Sequence, residues 1–82
     1  FTRNLSAGSR GEEVRRIQGL LEAEGLYPSN LLTGFFGAKT KGAVIKFQEK
    51  YAEEILTPVG LNHGSGIVGS ATRKKMNAIV SQ

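Results

Sequence analysis

Apolar residues recur at helical spacing in three stretches of the chain, and each stretch predicts one amphipathic α-helix. The spacing predicts helices over residues 10–24, 38–54 and 70–80. The positions expected to face a common core are Val14, Ile17 and Leu21 in the first helix, Val44, Phe47, Tyr51 and Ile55 in the second, and Met76, Ile79 and Val80 in the third. An isolated helix of this length is marginal in water, so the three are expected to pack together.

Capping residues are expected to set the ends of the first helix. Ser9 is the predicted N-cap, with Glu12 three positions later as its capping-box partner. Gly25 is predicted to end the helix, because helices commonly stop at a left-handed residue and glycine adopts that conformation freely. Leu5, in the extended lead-in before the helix, is expected to contact the core.

A short loop motif occurs twice, at residues 34–40 and 66–72. Each copy has a glycine, two apolar residues, a second glycine, two small or polar residues and a threonine, followed by a basic residue. The glycines indicate a tight loop, and the second apolar residue, Phe36 or Val68, is expected to fill the core. Because the motif is repeated, the helices that follow should begin in the same way.

Two glutamines interrupt the apolar faces of the first two helices. Gln18 and Gln48 each follow apolar residues at i−4 and i−1, which places them on the core side. A buried amide without hydrogen bonds costs about 1–3 kcal/mol, so each side chain should find partners. We expect both amides to bind the backbone of the glycine loops.

Together these patterns predict an all-α fold, a compact three-helix bundle with two similar glycine-loop-into-helix repeats. Residues 1–82 are expected to form a single domain, because the chain is short and no linker or low-complexity tract divides it. Short extended pieces flanking residues 26–33 are expected to pair as a minimal two-stranded ribbon.

Composition limits the chemistry more than any motif does. The 82 residues include no cysteine, no aspartate and a single histidine, His63. Disulfides and thiolate metal sites are therefore excluded, and few combinations of nucleophile, base and orienting acid, or of metal ligands, are available. We expect no catalytic residue, no metal site and no cofactor. The net charge of +4 favours an anionic partner such as nucleic acid, anionic lipid or cell wall.

Linked motifs resemble a known family. Residues 11–21 are similar to its G-x-x-V-x-x-L-Q-x-x-L motif, with Ile17 in place of the first leucine. Residues 34–48 match G-x-F-G-x-x-T-x-x-A-V-x-x-F-Q at every motif position, and residues 66–72 match G-x-V-G-x-x-T. The chain thus resembles the bacterial peptidoglycan-binding domain found beside the catalytic domains of many cell-wall hydrolases and transpeptidases. One departure is the segment 53–65, which is longer than the usual turn of the family.

The resemblance implies a non-catalytic module that attaches a larger exported protein to bacterial peptidoglycan. Its partners would be the glycan strand or the stem peptide of that polymer and a catalytic domain in the same chain, with no nucleic acid and no membrane span. It would act as a monomer in the periplasm or the extracellular cell wall. Any export signal is expected to lie outside these 82 residues.

Cations at two predicted helix starts form the first set of candidate ligand residues. Lys39 and Lys41 fall in the first turn of the second helix, and Arg73, with Lys74 and Lys75, falls in that of the third. Cations oppose the helix dipole there, so local helix energetics does not explain them. Either they face a carboxylate-bearing ligand such as a stem peptide, or they form a solvated face that keeps the domain soluble.

Aromatic and polar loop residues complete the candidate ligand-binding set. Phe35 occupies the variable position of the glycine loop and Tyr27 a turn, and an exposed ring at either position could stack on a sugar face. Thr40, Asn62 and His63 add polar groups. Thr40 is expected above all to bond within its own helical turn, and His63 to be an ordinary loop residue.

Two other functions stay open. A small basic helical domain could bind nucleic acid through a helix-turn-helix with residues 73–75 on the recognition helix, although the long connection before that helix opposes this arrangement. The domain could also be a structural spacer that orients a neighbouring catalytic domain and binds nothing itself. Steep salt dependence with duplex DNA would favour the first, and unchanged wall targeting after deletion of the module would favour the second.

Overall fold

The computed structural model describes residues 1–81 and contains four α-helices within them. The helices are α1 (Glu12–Ala23), α2 (Ala38–Lys50), α3 (Ala52–Ile55) and α4 (Ser70–Val80), and two 3₁₀ turns span Ser29–Leu31 and Thr57–Val59. The radius of gyration is 11.4 Å, close to the roughly 12 Å expected for a compact domain of this length. In the described residues, no helix combines the length and the apolar character that a membrane crossing requires. The predicted all-α class is confirmed, but four helical segments replace the predicted three.

Helix α1 begins two residues later than the sequence pattern predicts, because glycine rather than serine stands at its N-cap. Gly11 occupies that position with a φ of +127°, a conformation that favours glycine. The hydroxyl of Ser9 instead accepts the N–H of Ser6 at 3.1 Å, inside the preceding turn. The predicted capping box of Ser9 and Glu12 is therefore wrong.

Gly25 ends α1, as predicted. Its φ of +76° lies in the left-handed region, and its N–H donates to the carbonyl of Glu22 at 2.9 Å. The next N–H, that of Leu26, donates to the carbonyl of Leu21 at 2.9 Å. These two bonds form a Schellman motif, which satisfies carbonyls of the last turn and leads Leu26 back onto the core.

The predicted second helix breaks at Tyr51 into α2 and α3. The backbone of Tyr51 has φ −113° and ψ +41°, outside the helical region. Side-chain contacts hold it there, because its ring centroid lies 5.0 Å from that of Phe47, four residues earlier, and its hydroxyl donates to the distant Glu24 at 2.7 Å. After the break, both Ile55 and Leu56 enter the core, whereas the spacing alone predicted only Ile55.

The N-terminal segment crosses both glycine loops and pairs with each of them. Leu5 and Val68 exchange two backbone hydrogen bonds of 3.1 and 2.7 Å, and Arg10 forms an antiparallel bridge with Phe35. Leu5 is buried, as predicted. The ribbon predicted around residues 26–33 does not form within residues 1–81, because the extended loop residues pair with the N-terminal segment instead.

One core joins the helices and the loops. Phe36 and Val68, the second apolar residues of the two glycine loops, are fully buried, as predicted, and α4 adds the buried Met76. Ile79 packs partly against this core. Val80, predicted to face inward, is 58% exposed, because it is the last residue of α4 and lines an open groove.

Each buried glutamine ties one glycine loop to an earlier helix, Gln18 from α1 and Gln48 from α2. Gln18 accepts the N–H of Gly34 at 2.9 Å and donates to the carbonyl of Phe35 at 3.0 Å. Gln48 makes the equivalent two bonds, at 3.0 and 2.8 Å, in the second loop. Both side chains are buried, so each amide satisfies loop backbone groups that bulk water does not reach. The predicted role of the two glutamines is confirmed.

The same amides also reach the helices that follow the loops. Nε2 of Gln18 donates to Oγ1 of Thr40 at 3.0 Å, and Nε2 of Gln48 donates to Oγ1 of Thr72 at 3.1 Å. The two threonines are buried in the first turns of α2 and α4. One glutamine therefore links the helix before a loop, the loop itself and the helix after it.

We expect Gln48→Met to lower the free energy of unfolding by about 2–4 kcal/mol, because Met keeps the volume but leaves buried loop groups without partners. Urea denaturation measures this loss. Lys46→Met, on the exposed side of α2, is the matched control and should change stability by less than about 0.5 kcal/mol. A loss below about 1 kcal/mol for Gln48→Met would show that other groups replace the amide.

Candidate functional site

The first glycine loop (residues 33–37) and the second glycine loop (residues 65–69) have nearly the same backbone. Gly34 and Gly66 both have a φ of +79°, which requires glycine there, and the N-cap glycines that end the two loops have φ values of −100° and −98°. The sequence repeat is therefore a structural repeat, which presents the same loop at two places on the surface.

A groove of about 330 Å³, the first-loop groove, lies beside the first glycine loop. Its walls come from the end of the N-terminal segment, the start of α1 and the loop. The lining residues are Arg10, Gly11, Glu12, Arg15, Thr33, Gly34 and Phe35. The fold thus gathers an aromatic ring, two guanidinium groups, one carboxylate and a hydroxyl around one small opening.

Phe35 and Arg10 form a stacked pair at the edge of this groove. Phe35 is 41% exposed, and the guanidinium carbon of Arg10 lies 4.6 Å from the centroid of its ring, which is a cation–π contact. The hydroxyl of Thr33 accepts the N–H of Phe35 at 3.2 Å and fixes the loop backbone beneath the ring. A ring held in this way can stack on an apolar face of a ligand while the guanidinium binds a carboxylate.

Arg15 adds a second cation where the loop lies on α1. An ideal Cβ built on Gly34 would lie 3.2 Å from the carbonyl oxygen of Gly11 and 3.9 Å from Cβ of Arg15, so the loop backbone and the helix are in close contact. Arg10 and Arg15 were not among the predicted ligand residues. No local signal reveals them, because helical spacing does not place the start of α1 beside a loop distant in sequence.

The residues predicted to bind ligand near the first loop divide into exposed and buried ones. Phe35 and Lys39 are exposed, whereas Tyr27 and Thr40 are buried. The hydroxyl of Tyr27 donates to the carbonyl of Leu31 at 2.8 Å and accepts the hydroxyl of Thr40 at 3.1 Å. Tyr27 and Thr40 therefore belong to the buried network that holds the loop, and neither offers an exposed group.

Asn62, His63 and Arg73 lie near the second glycine loop. Asn62 and His63 are exposed in the segment before it, and Arg73 is half-buried in the first turn of α4. The Nε atom of Arg73 is buried and has no hydrogen-bond acceptor among residues 1–81. The predicted ligand residues are thus divided between two loops.

A second opening, the second-loop groove, has a volume of about 230 Å³ and a more apolar lining. Val59, Leu61 and Ile67 are exposed at this groove, with Ser65 of the loop beside them. Sequence reasoning missed Ile67 as a candidate, although the repeat aligns it with Phe35. The second-loop groove therefore offers apolar contact where the first-loop groove offers an aromatic ring and charge.

A larger groove of about 870 Å³ lies between α1, α4 and the N-terminal residues. Its lining combines apolar side chains with three glutamates and one arginine. Two of these glutamates, Glu13 and Glu24, already accept hydrogen bonds from the Thr2 backbone and the Tyr51 hydroxyl. Since the carboxylates outnumber the cation, this groove is poorly suited to an anionic ligand.

Ion pairs neutralise three of the cations that lie outside the first-loop groove. The pairs are Arg3–Glu13, Lys50–Glu24 and Lys75–Glu54. Hydrogen bonds from Tyr51 and Lys50 hold the pKa of Glu24 below its ordinary value, and the same carboxylate raises the pKa of the Tyr51 hydroxyl. The cluster around Glu24 thus joins the end of α1 to the break between α2 and α3.

The connection between α2 and α4 excludes a helix-turn-helix built from these two helices. It contains α3 and the 3₁₀ turn Thr57–Val59, whereas that motif joins its helices by a turn of about three to four residues. In the part of the chain that the structure describes, no three His or Glu side chains come together in a group that could hold a metal ion.

Comparison with known proteins finds one matching family and several similar structures. The sequence profile of the peptidoglycan binding domain family matches residues 10–53. No curated protein matches the chain. Among solved structures, the SleB N-terminal domain is similar, with a TM-score of 0.76 and 28% identity, and the match covers 96% of this chain and 94% of that one.

Two further similar structures belong to longer chains. A peptidoglycan-binding protein from Clostridioides difficile, solved in complex with glutamine hydroxamate, has a TM-score of 0.73 and 33% identity over 95% of this chain. A Burkholderia AP3 phage endolysin has a TM-score of 0.72 and 29% identity over 93% of this chain. The match covers 42% of the first protein and 25% of the second.

We expect Glu24→Gln to reduce the loss of stability in acid. Because hydrogen bonding lowers the folded-state pKa of Glu24, its contribution is present above the unfolded-state pKa and is lost as the pH falls through the folded-state pKa. The difference in unfolding free energy between wild type and Glu24→Gln should be largest near neutral pH and should shrink below about pH 4.3.

Urea denaturation at several pH values measures this difference. Glu53→Gln, at an exposed glutamate of α3, is the matched control and should give a smaller difference. A difference for Glu24→Gln that stays constant from neutral to acidic pH would contradict the assignment.

Proposed function

Because the chain belongs to the family of peptidoglycan binding domains, we propose that it attaches a larger exported protein to the bacterial cell wall through its first-loop groove. The module binds peptidoglycan and is non-catalytic. The chemistry is performed by a neighbouring domain of the same protein. Support for a larger parent comes from the similar structures, since this chain covers 42% and 25% of two of them.

The observation that carries the choice of surface is the exposed Phe35 ring beneath the Arg10 guanidinium. Peptidoglycan offers two groups that this pair recognises, the apolar faces of its sugars and the carboxylates of its stem peptides. Stacking on Phe35 and a charge-assisted hydrogen bond to Arg10 or Arg15 would use both groups at once. A spacer that binds nothing needs no exposed ring of this kind.

Lys39 extends the positive surface beyond the groove, because it is exposed in the first turn of α2. The N-cap of that helix is Gly37, which carries no side chain to satisfy the first N–H groups. Those N–H groups and the Lys39 ammonium would favour a carboxylate at this point. The remaining candidates, Asn62, His63 and Arg73, would contact ligand only if it extends to the second loop.

The proposed affinity of one groove for one site on the polymer is weak, whereas the overall affinity for the intact cell wall is strong. The first-loop groove holds about 330 Å³, at the lower end of ligand sites, which measure roughly 300–1,000 Å³. Many sites on one polymer compensate through avidity. Residues 1–82 act as one monomeric module at the cell wall, in the periplasm or outside the cell.

We expect Phe35→Ala to weaken binding to purified, protein-free sacculi by about tenfold or more, the effect of losing about 1.4 kcal/mol at an aromatic anchor. Co-sedimentation measures the dissociation constant. Because the ring is 41% exposed, thermal unfolding of the variant should stay close to that of wild type. Val80→Ala, at an exposed apolar residue of α4, is the matched control.

We further expect Arg15→Glu to weaken sacculus binding much more than Arg16→Glu. The two arginines are exposed neighbours on α1, but Arg15 lines the first-loop groove and Arg16 lines the larger groove beside α4. Both variants change the net charge by the same amount, so only position distinguishes them. Equal losses would indicate a nonspecific charge effect, and a larger loss for Arg16→Glu would move the binding surface to the other groove.

A further inference from the structure

The two glycine loops each place an exposed apolar side chain beside a groove. Phe35 and Ile67 occupy the same position of their loops and are 41% and 51% exposed. The residues that follow them, Phe36 and Val68, are fully buried. In extended backbone successive side chains point in opposite directions, so Phe35 and Ile67 both point outward.

Each loop also lies against a basic residue of an earlier helix, α1 for the first loop and α2 for the second. An ideal Cβ on Gly34 would lie 3.9 Å from Cβ of Arg15, and one on Gly66 would lie 2.7 Å from Cγ of Lys41. Arg15 and Lys41 are both exposed, so their charged ends remain in solvent while their stems contact the loops. The exposed apolar side chain and the neighbouring cation therefore occur twice.

A single short segment fixes the two units relative to each other. Leu5 pairs with Val68 of the second loop, and Arg10 pairs with Phe35 of the first. The five peptide steps between Leu5 and Arg10 span at most about 18 Å, and the turn formed by the bond from the N–H of Ser9 to the carbonyl of Ser6 shortens this distance. The two units thus lie within the reach of one linear ligand.

We propose that the two units are paired subsites for successive repeats of one wall polymer. The first repeat contacts Phe35 and Arg15, and the next contacts Ile67 and Lys41. Charge complementarity supports this occupant, because each repeat of peptidoglycan can carry an anionic stem peptide and each subsite supplies at least one cation. The inference rests on the proposed function and adds to it a requirement for ligand length.

The second subsite is expected to be the weaker one. Ile67 lacks an aromatic ring, and Val59 and Leu61 beside it supply apolar contact without charge. Such a subsite contributes when the first is already occupied, because the second contact then forms within one complex at a high effective concentration. The domain should therefore discriminate between short and long glycan chains.

The test compares two purified peptidoglycan fragments, one with a single disaccharide-peptide repeat and one with two linked repeats. Isothermal titration calorimetry gives the ratio of their affinities for each variant. In wild type, the two-repeat fragment should bind about tenfold tighter or more. In Ile67→Ser this ratio should fall toward one, and in Lys41→Gln it should fall partway.

Matched controls separate the subsite from nonspecific effects. Val80→Ser removes an equally exposed apolar side chain, and Lys46→Gln removes an exposed cation elsewhere on α2. Both should keep the wild-type ratio. Thermal unfolding should show that Ile67→Ser remains folded, since the side chain is exposed and the loop bonds involve only the backbone of that residue.

Failure of this inference differs from failure of the proposed function. If wild type binds sacculi but shows no gain from the second repeat, or if Ile67→Ser keeps the gain, the paired subsites are refuted and wall binding stands. If wild type binds neither sacculi nor either fragment, the proposed function itself is refuted.

Discussion

A buried glutamine amide that bonds to the backbone of a glycine loop is the interaction on which the structure depends. The loops turn their second apolar residue into the core, so their own N–H and carbonyl groups come with it and need partners. Glutamine meets this need because its amide carries both a donor and an acceptor. Gln18 and Gln48 each accept one loop N–H and donate to one loop carbonyl. A carboxylate or an apolar side chain of similar size could not do both.

The same constraint connects the fold to wall binding. A loop bonded at both ends holds its outward side chain in one position, so a ligand that stacks on Phe35 need not order a flexible segment first. Arg10 reaches that ring because the N-terminal segment pairs with the loop. Under the proposed function, the bonds that stabilise the loop therefore also position the residue that contacts ligand. The exposed residues of the loop remain free to vary, as Phe35 and Ile67 illustrate, while the buried glutamine, glycine and threonine hold the backbone.

The sequence predicts features that follow from backbone conformation or from the cost of burying a polar group. It does not predict features that depend on which distant side chains meet. The helix stop at Gly25 and the loop-binding role of Gln48 follow from backbone conformation and from the cost of a buried amide. The break at Tyr51 could not be predicted, because it depends on a hydroxyl that reaches Glu24, the residue that follows α1. The contact of Arg10 with Phe35 was missed for the same reason. Of the candidate site, the sequence therefore indicates the loop and Lys39 but not Arg10 and Arg15.

Native-state hydrogen exchange of the Gly34 and Gly66 amides tests the central claim most directly. Both N–H groups donate to a glutamine Oε1, at 2.9 and 3.0 Å, although they lie in loops. If these bonds hold the loops, both amides should exchange as slowly as the core amides of α2. Their exchange should then require global unfolding of the domain. If the Gly34 and Gly66 amides exchanged as fast as the amide of the exposed residue Asn62, the account would be contradicted.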